Sequence, residues 1–227
     1  MNAHYLFANR AAAGRALAQA LEQVLAETDL ADPVVLALPR GGVPVGFEVA
    51  QALGAPLDII MVRKIGAPGH KEYGIGAIVD GAPPQIVLDH AIARTVGATD
   101  AYIEREVASE LAEIERRRAA YRTGPPCQVK GRTAIVVDDG IATGNTVEAA
   151  LRALAKSGPA KIILAVPVAP HGALARLRPL CDAVVCLATP EPFYAVGAHY
   201  ADFGQTSDEE VVDLLARARP GCSQPSD

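Results

Sequence analysis

Short apolar runs alternating with stretches of helical periodicity narrow the fold of this chain more than any other feature. Val34–Leu38, Leu57–Val62, Thr133–Val137, Lys161–Val168 and Ala183–Leu187 are brief, rich in β-branched residues and bounded by turn residues. That is the pattern of strands buried on both faces. Ile86–Leu88 reads as one more short strand. Between the runs, Ala13, Leu17, Ala20, Leu21, Val24 and Leu25 recur at helical spacing from about Asn9 to Thr28. Further helices are expected from Gly42 to about Leu53, from the glycine-rich turn after Asp139 to about Ser157, from about Gly172 to Leu180, and from Ser207 to Ala218. Ser207 with Glu210 three residues on has the form of a capping box. The alternation predicts an α/β fold with a mostly parallel central sheet and helices on both faces. Ligands bind such sheets beyond the carboxyl ends of the strands. The loops that begin at Pro39, Arg63, Asp138 and Ala188 are therefore the ones to inspect.

At 227 residues the chain can bury a substantial core as one domain, expected over residues 1–218, and no repeat or linker divides it. With six Tyr, four Phe and no Trp, that core must be mostly aliphatic. The net charge of −5 argues against a nucleic-acid surface. No apolar stretch reaches the ~20 residues of a membrane span. Arg10 and Arg15 interrupt the apolar residues near the start, so no signal peptide is read there. Cys127, Cys181, Cys186 and Cys222 show no metal-ligand spacing and are expected as reduced thiols, which with the missing leader predicts a cytoplasmic protein. A long helix is expected at about 99–121, capped by Thr99, with Ile103, Val107, Leu111 and Ile114 as its apolar stripe. Its Arg116–Arg118 run lies among five glutamates and reads as a salt-bridged, solvated face. The tail 219–227 has no apolar periodicity and reads as disordered.

The chemistry concentrates in Ala134–Thr146, where an apolar strand delivers Asp138 and Asp139 to its end and a small-residue turn opens into a helix. Ile141, Ala142, Thr143, Gly144, Asn145 and Thr146 form a turn whose N–H groups, with the helix N-terminus, suit a phosphate. No Lys follows the second glycine and no G-x-G-x-x-G occurs, so neither a Walker loop nor a dinucleotide fingerprint is present. Carboxylates beside a phosphate cradle suit vicinal hydroxyls of a sugar attached to that phosphate, the description of a ribose 5-phosphate. A strand-end turn with two solvated aspartates is the plainer alternative.

The run Val-Val-Asp-Asp-Gly-Ile-Ala-Thr-Gly-Asn-Thr resembles the phosphoribosyl pyrophosphate (PRPP) signature of the type I phosphoribosyltransferases, and the order of elements fits that family over nearly the whole chain. The resemblance implies that Asp138 and Asp139 hold the ribose hydroxyls and that Ile141–Thr146 bind the 5-phosphate. Leu38-Pro39-Arg40-Gly41-Gly42 resembles the family's pyrophosphate loop, although a plain tight turn reads equally well. Arg63 and Lys64 resemble the basic pair that reaches the pyrophosphate. Residues of about 64–76 correspond to a mobile loop with His70, Lys71, Glu72 and Tyr73 at its tip; a merely flexible surface loop is the alternative. Three stretches, among them Val-Gly-Ala-His-Tyr-Ala-Asp-Phe, are similar to a bacterial subgroup of stand-alone phosphoribosyltransferase-domain proteins.

The implied reaction is Mg²⁺-dependent displacement of pyrophosphate from PRPP by a nitrogenous base. A small hood at about 188–206 would receive that base: Phe193 or Tyr194 for stacking, Val196 and Gly197 for its edge, and Asp202 as a further base contact or a protein ligand to Mg²⁺. Packing of these rings against the sheet end is the alternative. Ala142 stands where the 6-oxopurine enzymes of the family carry an acid, which disfavours hypoxanthine and guanine. The family resemblance is compatible with a homodimer. A second reading is a PRPP- or nucleotide-binding regulator with the same fold and little turnover; the basic lid segment and the acidic net charge favour the enzyme.

Overall fold

The computed structural model describes residues 5–26, 32–80, 84–121 and 126–218. Five strands, β1 (Pro33–Ala37), β2 (Leu57–Ile59), β6 (Thr133–Val137), β7 (Lys161–Val168) and β8 (Ala183–Ala188), form a parallel sheet in the order β2-β1-β6-β7-β8. β6 is the central strand, between β1 and β7, and every residue of it is buried. Side-chain alternation divides each strand between two cores. Val35, Ala37, Ile135, Val137, Ile163 and Ala165 pack with α1 (Arg10–Ala26), α2 (Gly42–Leu53) and α7 (Asp208–Arg217). Val34, Leu36, Ala134, Val136, Leu164 and Val166 pack with α5 (Asn145–Lys156) and α6 (His171–Leu177). The α/β architecture with helices on both faces is thus present.

The predicted strand Leu57–Val62 is two elements. β2 ends at Ile59, and after Ile60 and Met61 the chain leaves the sheet as β3 (Val62–Ala67). β3 pairs antiparallel with β4 (His70–Val79), which pairs with β5 (Gln85–Leu88), giving a second, three-stranded sheet. Residues 64–76, expected as a loop, are therefore mostly a β-hairpin. Alternation explains it: Ile65, Ala67, Ile75 and Ala77 are buried, and Pro68–Gly69 turns the chain with Gly69 at φ +74°. The glycines read as loop markers serve close strand pairing. A Cβ on Gly66 would lie 2.5 Å from the Lys71 carbonyl oxygen, and one on Gly76 2.5 Å from that of Val87.

After the short helix α3 (His90–Thr95), the long helix α4 (Asp100–Tyr121) lies against this second sheet. Thr99 caps it through the Tyr102 N–H. Tyr102 Oη donates to the Gly66 carbonyl at 2.9 Å, Arg63 Nε meets Glu110 Oε2 at 2.6 Å, and Arg118 pairs with the buried Asp80. Glu113 takes both Arg116 and Arg117, whose hydrogen bonds hold its carboxyl down at about 2. Ser207 caps α7 through the Glu210 N–H at 3.1 Å.

Cys181 and Cys186 are free thiols as expected, but Cys127 is disulfide-bonded, which removes the ground that uniformly reduced thiols offered for a cytoplasmic compartment. Cys222 and the tail 219–227 lie outside the described residues. No helix among the described residues is long and apolar enough to cross a membrane.

Candidate active site

β6 ends at Val137, and the chain turns at once through Asp138, Asp139 and Gly140. Asp138 folds back so that its Oδ1 accepts the Asp139 N–H at 2.9 Å. Burial pushes the Asp138 carboxyl well above the usual carboxylate range, and the neighbouring Asp139 adds to the effect. Burial also raises Asp139, against the opposing hydrogen bond and charge of Arg10. Arg10 Nε stands 2.8 Å from Asp139 Oδ2, and both side chains are little exposed, at 13% and 14%.

The glycines of the Arg40-Gly41-Gly42 segment are needed because this pair of acids lies against them. A Cβ on Gly41 would fall 2.1 Å from Asp139 Oδ2, and one on Gly42 2.8 Å from the Val137 carbonyl oxygen. The sequence reading assigns these glycines to a pyrophosphate; their backbone is first of all the wall behind the acids. The Arg40 side chain turns elsewhere. It meets Asp208 at 3.2 Å, where Asp208 also accepts the Tyr121 hydroxyl at 2.6 Å.

In the turn, the Ile141 N–H is spent on the Val168 carbonyl at 2.9 Å and the side chain is buried, so Ile141 anchors the turn to β7. Ala142, Thr143, Asn145 and Thr146 are exposed. Gly144, at φ +80°, precedes α5, whose first-turn N–H groups have no acceptor within the helix. One cation here was missed from sequence: Arg176 of α6 donates to the Thr143 carbonyl at 2.7 Å and to Asn145 Oδ1 at 3.3 Å. Nothing in the local sequence of α6 marks it.

The basic pair divides. Arg63 is held by Glu110 on α4, whereas Lys64, exposed, lines a groove of about 590 Å³ with Asn145, Thr146, Glu148 and Arg152. His70, Lys71 and Tyr73 at the hairpin tip line a different, open depression with Ala67, Pro68 and Val96. The side chain of Glu72 lies outside the described residues.

The segment expected as a hood is built onto the turn at Asp139. Tyr200, buried, donates its hydroxyl to the Asp139 carbonyl at 2.5 Å, and burial raises its pKa. Its ring packs on Phe7 and Phe203, with centroids at 5.4 and 4.9 Å. Phe7 forms a parallel bridge with Tyr200, and the Ala201 and Asp202 N–H groups donate to the Phe7 and Ala8 carbonyls. Sequence reasoning places Phe193, Tyr194, Val196, Gly197 and Asp202 at a base. Of these, Phe193 packs on His199 at 5.1 Å, Val196 fills the space a Gly140 Cβ would need, and Gly197 gives room to Phe203. Tyr194 is 84% exposed. Asp202 Oδ1 accepts the Gly204 N–H, and no described contact joins it to Asp138 or Asp139. Tyr200 and Phe203 pack inward, and Tyr194 is left as the open ring.

Among the described residues no three His, Cys, Asp or Glu side chains gather as a metal-holding group. The acids present fit a divalent cation only where one or two carboxylates complete a shell that arrives with a phosphorylated substrate.

A family model described as a phosphoribosyl transferase domain matches residues 7–197. Two provisionally named phosphoribosyl transferases of Mycobacterium tuberculosis, from strains CDC 1551 and H37Rv, are each 46% identical over 214 residues, which is 94% of this chain and 47% of theirs. This chain therefore spans about half the length of those curated relatives. The crystal structure of TT1426 from Thermus thermophilus is similar with a TM-score of 0.81 and 43% identity, covering 94% of this chain and 99% of that one.

Proposed function

This chain belongs to the phosphoribosyl transferase domain family, and from that premise we propose that it transfers the 5-phosphoribosyl group of PRPP to a nitrogenous base with release of pyrophosphate. The observation that carries the reading is the junction of β6 and α5. Two enclosed acids stand at the end of a central strand, the exposed turn Ala142–Thr146 opens the helix beside them, and the Gly41–Gly42 backbone closes the other side.

In this reading the 5-phosphate sits on the turn N–H groups and the α5 N-terminus, with the Thr143 and Thr146 hydroxyls as further donors. Asp138 and Asp139 accept from the ribose hydroxyls. Lys64, in the groove that reaches Asn145 and Thr146, meets the negative charge that develops on the departing pyrophosphate. The side chains orient and shield, and none needs to act as nucleophile. Mg²⁺ entering with PRPP would supply charge neutralisation at the pyrophosphate. The hood takes the acceptor base, with Tyr194 free to stack on it, and Ala142 places no carboxylate near a purine, which disfavours 6-oxopurines.

The test is incubation with PRPP, Mg²⁺ and a panel of purine and pyrimidine bases, following pyrophosphate. Release with at least one base is expected. PRPP binding without release for any base would replace this reading with that of a PRPP-responsive regulator.

A further inference from the structure

We infer that Arg10 is a positioning residue of the site: it fixes the carboxylate of Asp139 and ties it to the hood, so that the ribose-binding acid is set by a side chain from the far end of the sequence. The inference rests on the proposed reading of Asp139 as a ribose ligand.

The guanidinium is held on three sides. Its Nε donates to Asp139 Oδ2 at 2.8 Å, its Nη1 donates to the Gly204 carbonyl at 2.6 Å, and its plane lies over the Phe203 ring at 3.9 Å from the centroid. Phe203 packs on Tyr200, and Tyr200 returns to Asp139 through the main-chain carbonyl. The contacts close a circuit: Asp139 carboxylate, Arg10, Phe203, Tyr200, Asp139 carbonyl. A planar fork with a stackable face is needed to close it, and Lys has neither.

Two consequences follow for Asp139. Oδ2 lies between Arg10 and the Gly41 backbone, so both hold the carboxylate in its present setting. The cation also favours the charged form of a carboxyl that burial would otherwise neutralise. Among the described residues Asp138 accepts only the Asp139 N–H, and Arg10 reaches it through its charge rather than by a hydrogen bond. Arg10 therefore distinguishes the two adjacent acids: Asp139 is the one whose carboxylate a guanidinium holds. Arg10, Asp138 and Tyr200 are the titratable groups that face Asp139 among the described residues.

The experiment compares wild-type protein with Arg10→Lys and Arg10→Gln by titration with PRPP and Mg²⁺ across pH, with thermal melting to verify folding. Both variants are expected to bind on the order of 10- to 100-fold more weakly at neutral pH, as expected for truncating one partner of an enclosed charge pair. Arg10→Gln, which removes the cation, is expected to move the acid limb of the binding profile toward neutral pH, whereas Arg10→Lys restores that limb without restoring affinity. A purely structural role would lower the melting temperature and leave the limb in place. Unchanged affinity and an unmoved limb in both folded variants overturn the inference and leave the proposed function standing. Failure of the wild-type protein to bind PRPP overturns the proposed function and the inference with it. Should Arg10→Gln fail to fold, Arg10→Lys decides on affinity: wild-type affinity overturns the inference.

Discussion

The Tyr200 hydroxyl donates to the main-chain carbonyl of Asp139 at 2.5 Å, so the segment around Tyr200 holds this turn by its backbone while the acid's side chain is held by Arg10. The two restraints are separable. Tyr200→Phe removes one hydrogen bond from a buried site, a loss of about 1 kcal/mol, or ~2–4 °C in melting temperature for a domain of this size. PRPP affinity should fall by less than it does on replacing Arg10. An unchanged melting temperature would remove this bond from the forces that hold the hood.

Gly41→Ala puts a methyl group where Asp139 Oδ2 now lies. The carboxylate is the end of a short side chain and can swing aside, so the fold should survive with a melting temperature within a few degrees of wild type. The acid would then leave its setting on Arg10, and kcat/KM should fall on the order of 10²-fold, the usual result of misplacing a reacting group by about 1 Å. Steady-state kinetics checks this; near-wild-type turnover would mean that Asp139 does not need its present orientation.

Asp138 carries a sign that is easy to test. Its folded pKa is raised by burial, so the stability it contributes is fully present below the ordinary carboxylate value and is lost as pH rises through the raised one. Ligand-free wild-type protein should therefore melt lower at about pH 7 than at about pH 5 as far as this group is concerned, and Asp138→Asn should flatten the difference. At neutral pH the variant should melt higher while binding PRPP more weakly, the trade expected when a functional charge is enclosed. Melting curves at both pH values decide it. Lower stability of Asp138→Asn at neutral pH would show that the acid is held charged at no cost.

Lys64 and Arg63, adjacent in sequence, should separate in function. Lys64→Ala should lower kcat on the order of 10²-fold with little change in melting temperature, as for removal of a charge that stabilises a leaving group. Arg63→Ala should act mainly on the hairpin, because Arg63 is paired with Glu110. A double-mutant cycle between Arg63 and Glu110 is expected to give about 1 kcal/mol or less, given their partial exposure. A larger turnover loss for Arg63→Ala than for Lys64→Ala would reverse the assignment.

The elements legible in the sequence were those with one dominant pattern. β6, β7 and α5 follow from apolar runs and amphipathic spacing, and the Asp138–Thr146 turn from two acids and small residues set between an apolar run and a helix. Glycine misled where it served two purposes: Gly66 and Gly76 looked like loop markers, yet each is a place where strands pair too closely for a Cβ. Arg10 and Arg176 were invisible for another reason. Each acts on the turn at 138–146 from a helix remote in sequence, and a lone arginine at a helix start or end has no local signature. The sequence around residue 200 did not show that Tyr200 and Phe203 pack inward while Tyr194 faces out.

The bridge between Phe7 and Tyr200 sets an order of events during synthesis. Phe7 and Arg10 are made before any of these partners: Asp139 follows first, and Tyr200, Phe203 and Gly204 close the arrangement much later in the chain. The α/β core can condense domain-wise before that point, but the setting of Asp139 cannot. A nascent chain stalled short of residue 200 would lack Tyr200, Phe203 and Gly204, so the setting of Asp139 is completed only after the last strand of the parallel sheet has been made.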